Sequence, residues 1–180
     1  YTIDQSLRYE DGDSPYLQRT PTVLGDRQKW TFSLWFKRGN LARHSYLFST
    51  EETGAAGGAG EDLFQFNITN ADLFSVGHDS GTFLTTTQKF RDPGAWYHAV
   101  LACDTTQTVA GNRLKLYING SQVTAFDTEN EPDEDLETAV NYTHFHRIGA
   151  QSNNTNHWDG EMAEFYFIDG TQLDADDFGE

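Results

Sequence analysis

An all-β fold, two antiparallel sheets packed face to face, is what this 180-residue chain predicts, and three observations lead there. Apolar and polar side chains alternate with period two along most of the apolar stretches, as half-buried strands require. Asn119-Gly120 stands between two such stretches, and this pair supplies the positive φ that a type I′ hairpin turn needs at both central positions. Aromatic residues make up 14% of the chain beside a single Met and four Pro, a composition that suits strands rather than helices.

The strand candidates follow in order: SLRYE, WTFSLWFKRG, YLFST, DLFQFNIT, DLFSVGH, TFLTTTQKF, WYHAVLACD, RLKLYING with its return GSQVTAF, FHRIGA and EMAEFYFI. In the second, Trp30, Phe32, Leu34 and Phe36 share one face, while Thr31, Ser33, Trp35 and Lys37 share the other. Leu114, Leu116 and Ile118 likewise oppose Lys115 and Tyr117. Three polar connectors separate strands: GAAGGAG from Gly54 to Gly60, an acidic run from Asp127 to Glu137, and Ser152 to Asp159. Helical spacing never persists beyond a turn or two. TQLDADDF is a short terminal helix with Thr171 or Asp174 as its N-cap.

The length fits one domain spanning residues 1–180. It begins without an initiating Met or a signal-like segment and reads as a piece of a longer polypeptide. Net charge is −16, which repels phosphate backbones, so nucleic acid is excluded as a partner. No stretch has the length of a membrane span, and membrane insertion is not expected. Cys103 is the only cysteine, so no intrachain disulfide forms, and its apolar run predicts a buried, inert thiol.

Several stretches in this order resemble one family. WTFSLWFKRG, YLFS, AWYHAVLACD, RLKLYINGSQV, HRIGAQ and WDGEMAEFYFIDGTQLDADDF are similar to the laminin-G-like, or concanavalin A-like, jelly roll over nearly the whole chain. The lead-in SLRYEDGDSPYLQRTP resembles laminin-G-like domains of marine phage tail and virion proteins. That resemblance implies a concanavalin A-like antiparallel β-sandwich in which the polar half of GAQSNNTNHWDGEMAEFYFIDG is a rim loop and the aromatic half a core strand. Ala163, Phe165 and Phe167 are then expected inward, with Glu164 and Tyr166 opposite. In the related pentraxins the same loop resembles a calcium site, which makes Gln151 and Asp159 the metal candidates. A single carboxylate falls short of what calcium prefers.

Asn153, Asn154, Asn156, His157, Trp158 and Asp159 form the candidate ligand site. Asn amides offer donors and acceptors to sugar hydroxyls, and an exposed indole would cover the apolar face of a pyranose. Glu129, Asp133, Glu134 and Asp135 are a second cation candidate, and His144 with His146 a third. Glucanases of this architecture resemble an E-x-D-x-x-E strand, which is absent here. The expected function is non-enzymatic: a virion structural or adhesion module (phage tail-fibre, appendage or capsid-decorating domain) contacting surface glycans or neighbouring subunits, itself a candidate homo-oligomer. An extracellular cell-surface adhesion module is the alternative, and a glycan-degrading enzyme domain the weakest reading. Either leading reading places the chain on a virion or an extracellular surface.

Overall fold

A computed structural model describes residues 3–51, 63–78 and 81–179. The strands are β1 (Leu7–Tyr9), β2 (Leu17–Arg19), β3 (Lys29–Arg38), β4 (Ser45–Glu51), β5 (Leu63–Ile68), β6 (Leu73–His78), β7 (Gly81–Lys89), β8 (Trp96–Asp104), β9 (Leu114–Ile118), β10 (Ser121–Gln122), β11 (Phe126–Glu129), β12 (Phe145–Ile148) and β13 (Gly160–Asp169). One sheet runs β1-β13-β3-β8-β9-β10 and the other β11-β7-β6-β5-β4-β12-β2, with every pairing antiparallel.

The alternation read in β3 holds. Trp30, Phe32, Leu34 and Phe36 are buried and meet aromatic side chains of the facing sheet, with Trp30 edge-on to Phe64 at 5.0 Å and Phe32 against Phe66 at 5.3 Å. Full burial of each such side chain contributes about 1.5–3 kcal/mol. Asn119 and Gly120 adopt the expected φ of 50° and 77°, and β9 buries Leu114, Leu116 and Ile118. Cys103 is buried in the same core, and burial pushes its thiol far up from the ordinary range. The connector GAAGGAG lies outside the described residues.

Four features add to the sequence reading or correct it. Thr31 and Ser33, on the face of β3 away from the core aromatics, are buried as well because residues 171–178 cross that face. Thr31 donates to the Thr171 carbonyl and accepts from the Leu173 amide, and Phe178 packs against His98 and Tyr166. This segment ends in a short 3-10 helix, Ala175–Phe178, capped by Asp174. β2 is a strand the alternation was too short to reveal. The first residues of the acidic run are strand rather than loop, since β11 pairs with β7.

The fourth feature, a correction, concerns β13. Glu164 has φ 48°, and the register against β3 shifts by one residue between Ala163 and Tyr166. This β-bulge sets two residues against one and reverses the faces that follow. Ala163 therefore stands across from Trp35 on the outer side, while Met162 and Phe167 pair with the inward Phe36 and Phe32. Phe165 reaches Phe32 and Phe48 as well, so it is inward as expected.

One buried ion pair ties the sheets together. Arg38, at the end of β3, donates to Asp72 at 3.3 Å, to the Phe90 carbonyl at 2.9 Å and to the Asn40 carbonyl at 2.7 Å. Their side chains are 0% and 4% exposed. Burial opposes ionisation of Asp72, but the Ala42 amide, Arg91 and Arg38 together outweigh it and hold the carboxyl below its ordinary value. A carboxylate depressed in this way contributes stability above its unfolded-state pKa and loses it as pH falls through the folded-state value.

Asp72→Asn should therefore cost about 3–5 kcal/mol at neutral pH, because it strands the Arg38 charge. Urea unfolding across pH checks this: the gap between native chain and variant should be full at pH 7 and shrink below about pH 4. Trp158, which links β13 to the core, gives a second expectation. It is 0% exposed and edge-on to Phe36 at 5.8 Å. Trp158→Ala should lower stability by about 3–5 kcal/mol, read as a fall of roughly 10 °C or more in Tm by thermal melting.

Candidate functional site

The candidate ligand residues sit on the connection from β12 to β13. Residues 151–156 close a tight turn, in which the Gln151 amide donates to the Thr155 carbonyl and the Asn154 amide to the Gln151 carbonyl. Asn154 and Asn156 have φ of 62° and 48°, a left-handed conformation that Asn tolerates better than other non-glycine residues. That is the local reason for the Asn-rich composition.

Within the turn, the Asn156 amide donates to Gln151 Oε1 at 2.6 Å and the Thr155 hydroxyl to Asn153 Oδ1 at 2.5 Å. Asn153, Asn154 and Asn156 are exposed, and His157 is half-buried. The His157 ring lies between the Asn154 carbonyl at 3.1 Å and the Pro15 carbonyl at 3.3 Å. Asn154 places its side-chain amide outside these bonds.

Trp158 does not join them. It is swallowed by the core, with no acceptor for its indole N–H among the described residues, and it anchors the loop by packing. The indole therefore offers no face to a sugar. An aromatic surface exists nonetheless, supplied by Tyr16 in the segment before β2. Tyr16 is 40% exposed and lies 6.4 Å from the His157 ring. Arg147 of β12 joins the two segments: its guanidinium sits 4.5 Å over Tyr16, donates to the Gln151 and Ser152 carbonyls, and grips Gln18 Oε1 of β2. The sequence held a signal for Tyr16 only as an aromatic beside Pro15; its distance along the chain from the Asn-rich loop hid the partnership.

Asp159 faces elsewhere. It gathers with Glu10 and Asp11, one carboxylate oxygen of each within 4.8 Å of the others. Burial and then the Asp11 charge push the Asp159 carboxyl above its ordinary value. Donors of the chain already occupy each member: Arg8 on Glu10, Arg43 on Asp11 at 2.7 Å, and Asn40 on Asp159 at 3.1 Å. Calcium prefers about six to eight oxygens, and this trio, with its donors in place, falls short of that set. Gln151, the other metal candidate, spends its amide oxygen inside its own loop on Thr155 and Asn156.

Among the described residues, no three carboxylates of the acidic run come together. Glu134 instead meets Arg113 at 3.0 Å, and the same guanidinium holds the Pro132 carbonyl, stapling the run down. His146 uses both ring nitrogens: Nδ1 donates to the His144 carbonyl and Nε2 accepts from the Asn141 amide, so neither is presented to a metal.

Known proteins agree with this architecture. No curated protein matches the sequence. A module of Ruminococcus gnavus IT-sialidase, CBM40 bound to α2,3 sialyllactose, superposes with a TM-score of 0.61 at 15% identity, covering 86% of this chain and 80% of the other. Mouse laminin α1 chain domains LG4-5 give 0.58 at 16% identity, covering 92% and 41%. The native heptameric SAP-like pentraxin of Limulus polyphemus gives 0.57 at 16%, covering 85% and 69%. Likeness at such identities carries the fold alone. The family model of the concanavalin A-like lectin/glucanases superfamily matches residues 11–176, and this chain belongs to that family.

Proposed function

We propose that this domain is a non-catalytic adhesion module that binds glycans weakly at the rim formed by Tyr16, Asn153, Asn154, Asn156 and His157, and that it works in many copies on a virion appendage. The observation that carries this reading is Arg147, which fixes an exposed aromatic ring beside a rigid, amide-rich turn. An aromatic platform flanked by hydrogen-bonding groups is the combination a pyranose needs, apolar on one face and hydroxylated at its edge. The likeness to a carbohydrate-binding module solved with sialyllactose supports a sugar ligand. A net charge of −16, and an Arg147 already committed to carbonyls and rings, favour a neutral glycan over a sialylated one.

Magnitudes set the mode of action. Covering ~50–100 Å² of a sugar face yields roughly 1–2.5 kcal/mol, and each amide bond adds about 0.5–1.5 kcal/mol net of water. After ordering and association costs, one domain binds at around millimolar Kd. Adhesion then rests on avidity, which a multimeric appendage provides. Catalysis is no part of this reading: Glu161 on β13 is engaged by Ser6 and Lys37.

A multimerised domain on a glycan array should bind neutral glycans, with sialylated ones weaker. Tyr16→Ala should cut that signal by about fivefold or more, as loss of 1 kcal/mol per site requires, while Tm stays within a few degrees. Undiminished binding by Tyr16→Ala would place the ligand elsewhere on the domain.

A further inference from the structure

A second feature lies on the opposite face of the same two strands. Arg147, Gln18 and Tyr16 belong to the outer side of the β2–β12 pair. Leu17, Arg19, His146 and Ile148 alternate with them and point between the sheets, where Leu17 pairs with Ile148 and Arg19 with His146. They face β13 across a gap. There the bulge at Glu164 carries Phe165 and Phe167 inward over Phe32, at ring distances of 5.9 and 4.6 Å. Left-handed φ at a non-glycine residue is strained, and such strain collects at ligand sites.

The result is a slot of about 690 Å³ that opens at the edge of the sandwich. Its floor is Phe32 and Phe48, its walls Leu17, Ile148, Phe165 and Phe167, and its lip the exposed Val23 and Leu24. Cavities that hold a small molecule span about 300–1,000 Å³.

The polar groups at the mouth decide the ligand. Asp169 Oδ1 accepts from the Asp26 amide at 2.8 Å and from the Asn141 side chain at 2.7 Å. Asn141 also donates to the Asp26 carbonyl, and His146 is saturated by Asn141 and His144. Gln18 Oε1 belongs to Arg147. The Arg19 side chain makes no hydrogen bond or ion pair among the described residues. A sugar or a peptide entering the slot would surrender hydration and find few partners along its apolar walls. An apolar chain loses nothing there, and one anionic head would complement Arg19 with a charge-assisted bond.

We propose that the slot binds a single-chain amphiphilic carboxylate, its hydrocarbon body against the four phenylalanines and its carboxylate on Arg19. Decanoate and decan-1-ol, which share a chain and differ in the head, serve as probes in calorimetric titrations of the whole chain. The native protein should bind both saturably, decanoate more tightly. Arg19→Gln should weaken decanoate about tenfold and leave decanol within about twofold. Leu17→Trp, at a half-exposed lip position, should weaken both by about tenfold or more with the melting curve retained. Should that variant fail to fold, the split between the two probes on Arg19→Gln still decides. No saturable binding to the native chain, equal losses of both probes on Arg19→Gln, or a folded Leu17→Trp that binds as before would overturn the proposal. Arg19 would then be an inward charge that guards an edge strand against pairing.

Discussion

One end of the sandwich depends on a buried cation. Arg38 is the last residue of β3, and its guanidinium holds three carbonyl or carboxylate partners from Asn40, Asp72 and Phe90. Two of these belong to loops of the opposite sheet, so one side chain fastens both layers at the same end of the sandwich. Asp72 passes the constraint on through Ala42 and Arg91. Gly39 lies so close to Asp159 that a Cβ there would overlap its carboxylate. The strand end, the 39–43 turn and the start of β13 are thus one cooperative unit. An apolar pair of similar volume could match its net stability, but not its directionality.

Much of this fold was legible because it is written in short-range patterns. Alternation in β3, β8 and β9 needs only the pleat, and the Asn119-Gly120 turn needs only local dihedrals. The errors arose where a distant segment changed the environment. The burial of Thr31 and Ser33 was hidden because nothing in their own strand announces the cover laid down by residues 171–178. The bulge in β13 is invisible to a period-two count, since Glu164 is an unremarkable residue in an uncommon conformation.

The candidate rim loop was legible in kind rather than in detail. An Asn-rich loop beside a strand was found, and its left-handed Asn residues explain why that composition was there. The exposed aromatic beside it was missed, because sequence favours Trp158 over Tyr16 by proximity to the loop. Burial ranks them the other way: the larger ring gains more from the core and goes inside. Asp159, adjacent to Trp158, is drawn instead towards Glu10 and Asp11. Neighbours in sequence thus serve different ends, one locking the loop and the other joining an acidic cluster that the N-terminal segment completes.

The sheet order also governs how the molecule is made. β13, the last strand, lies between β1, the first, and β3, and the pairing of Leu7 with Met162 spans almost the entire chain. Until β13 leaves the ribosome, β3 has its inner partner β8 but an open outer edge. Closing so long a loop is entropically costly and is rewarded only at the end. The interval between synthesis of β3 and of β13 therefore exposes an aromatic strand edge, a window in which like edges on neighbouring chains can pair. The seven-stranded sheet is no refuge, because β2 and β12 also meet across more than a hundred residues. For such a topology, dependable folding is a matter of timing as much as of affinity between strands.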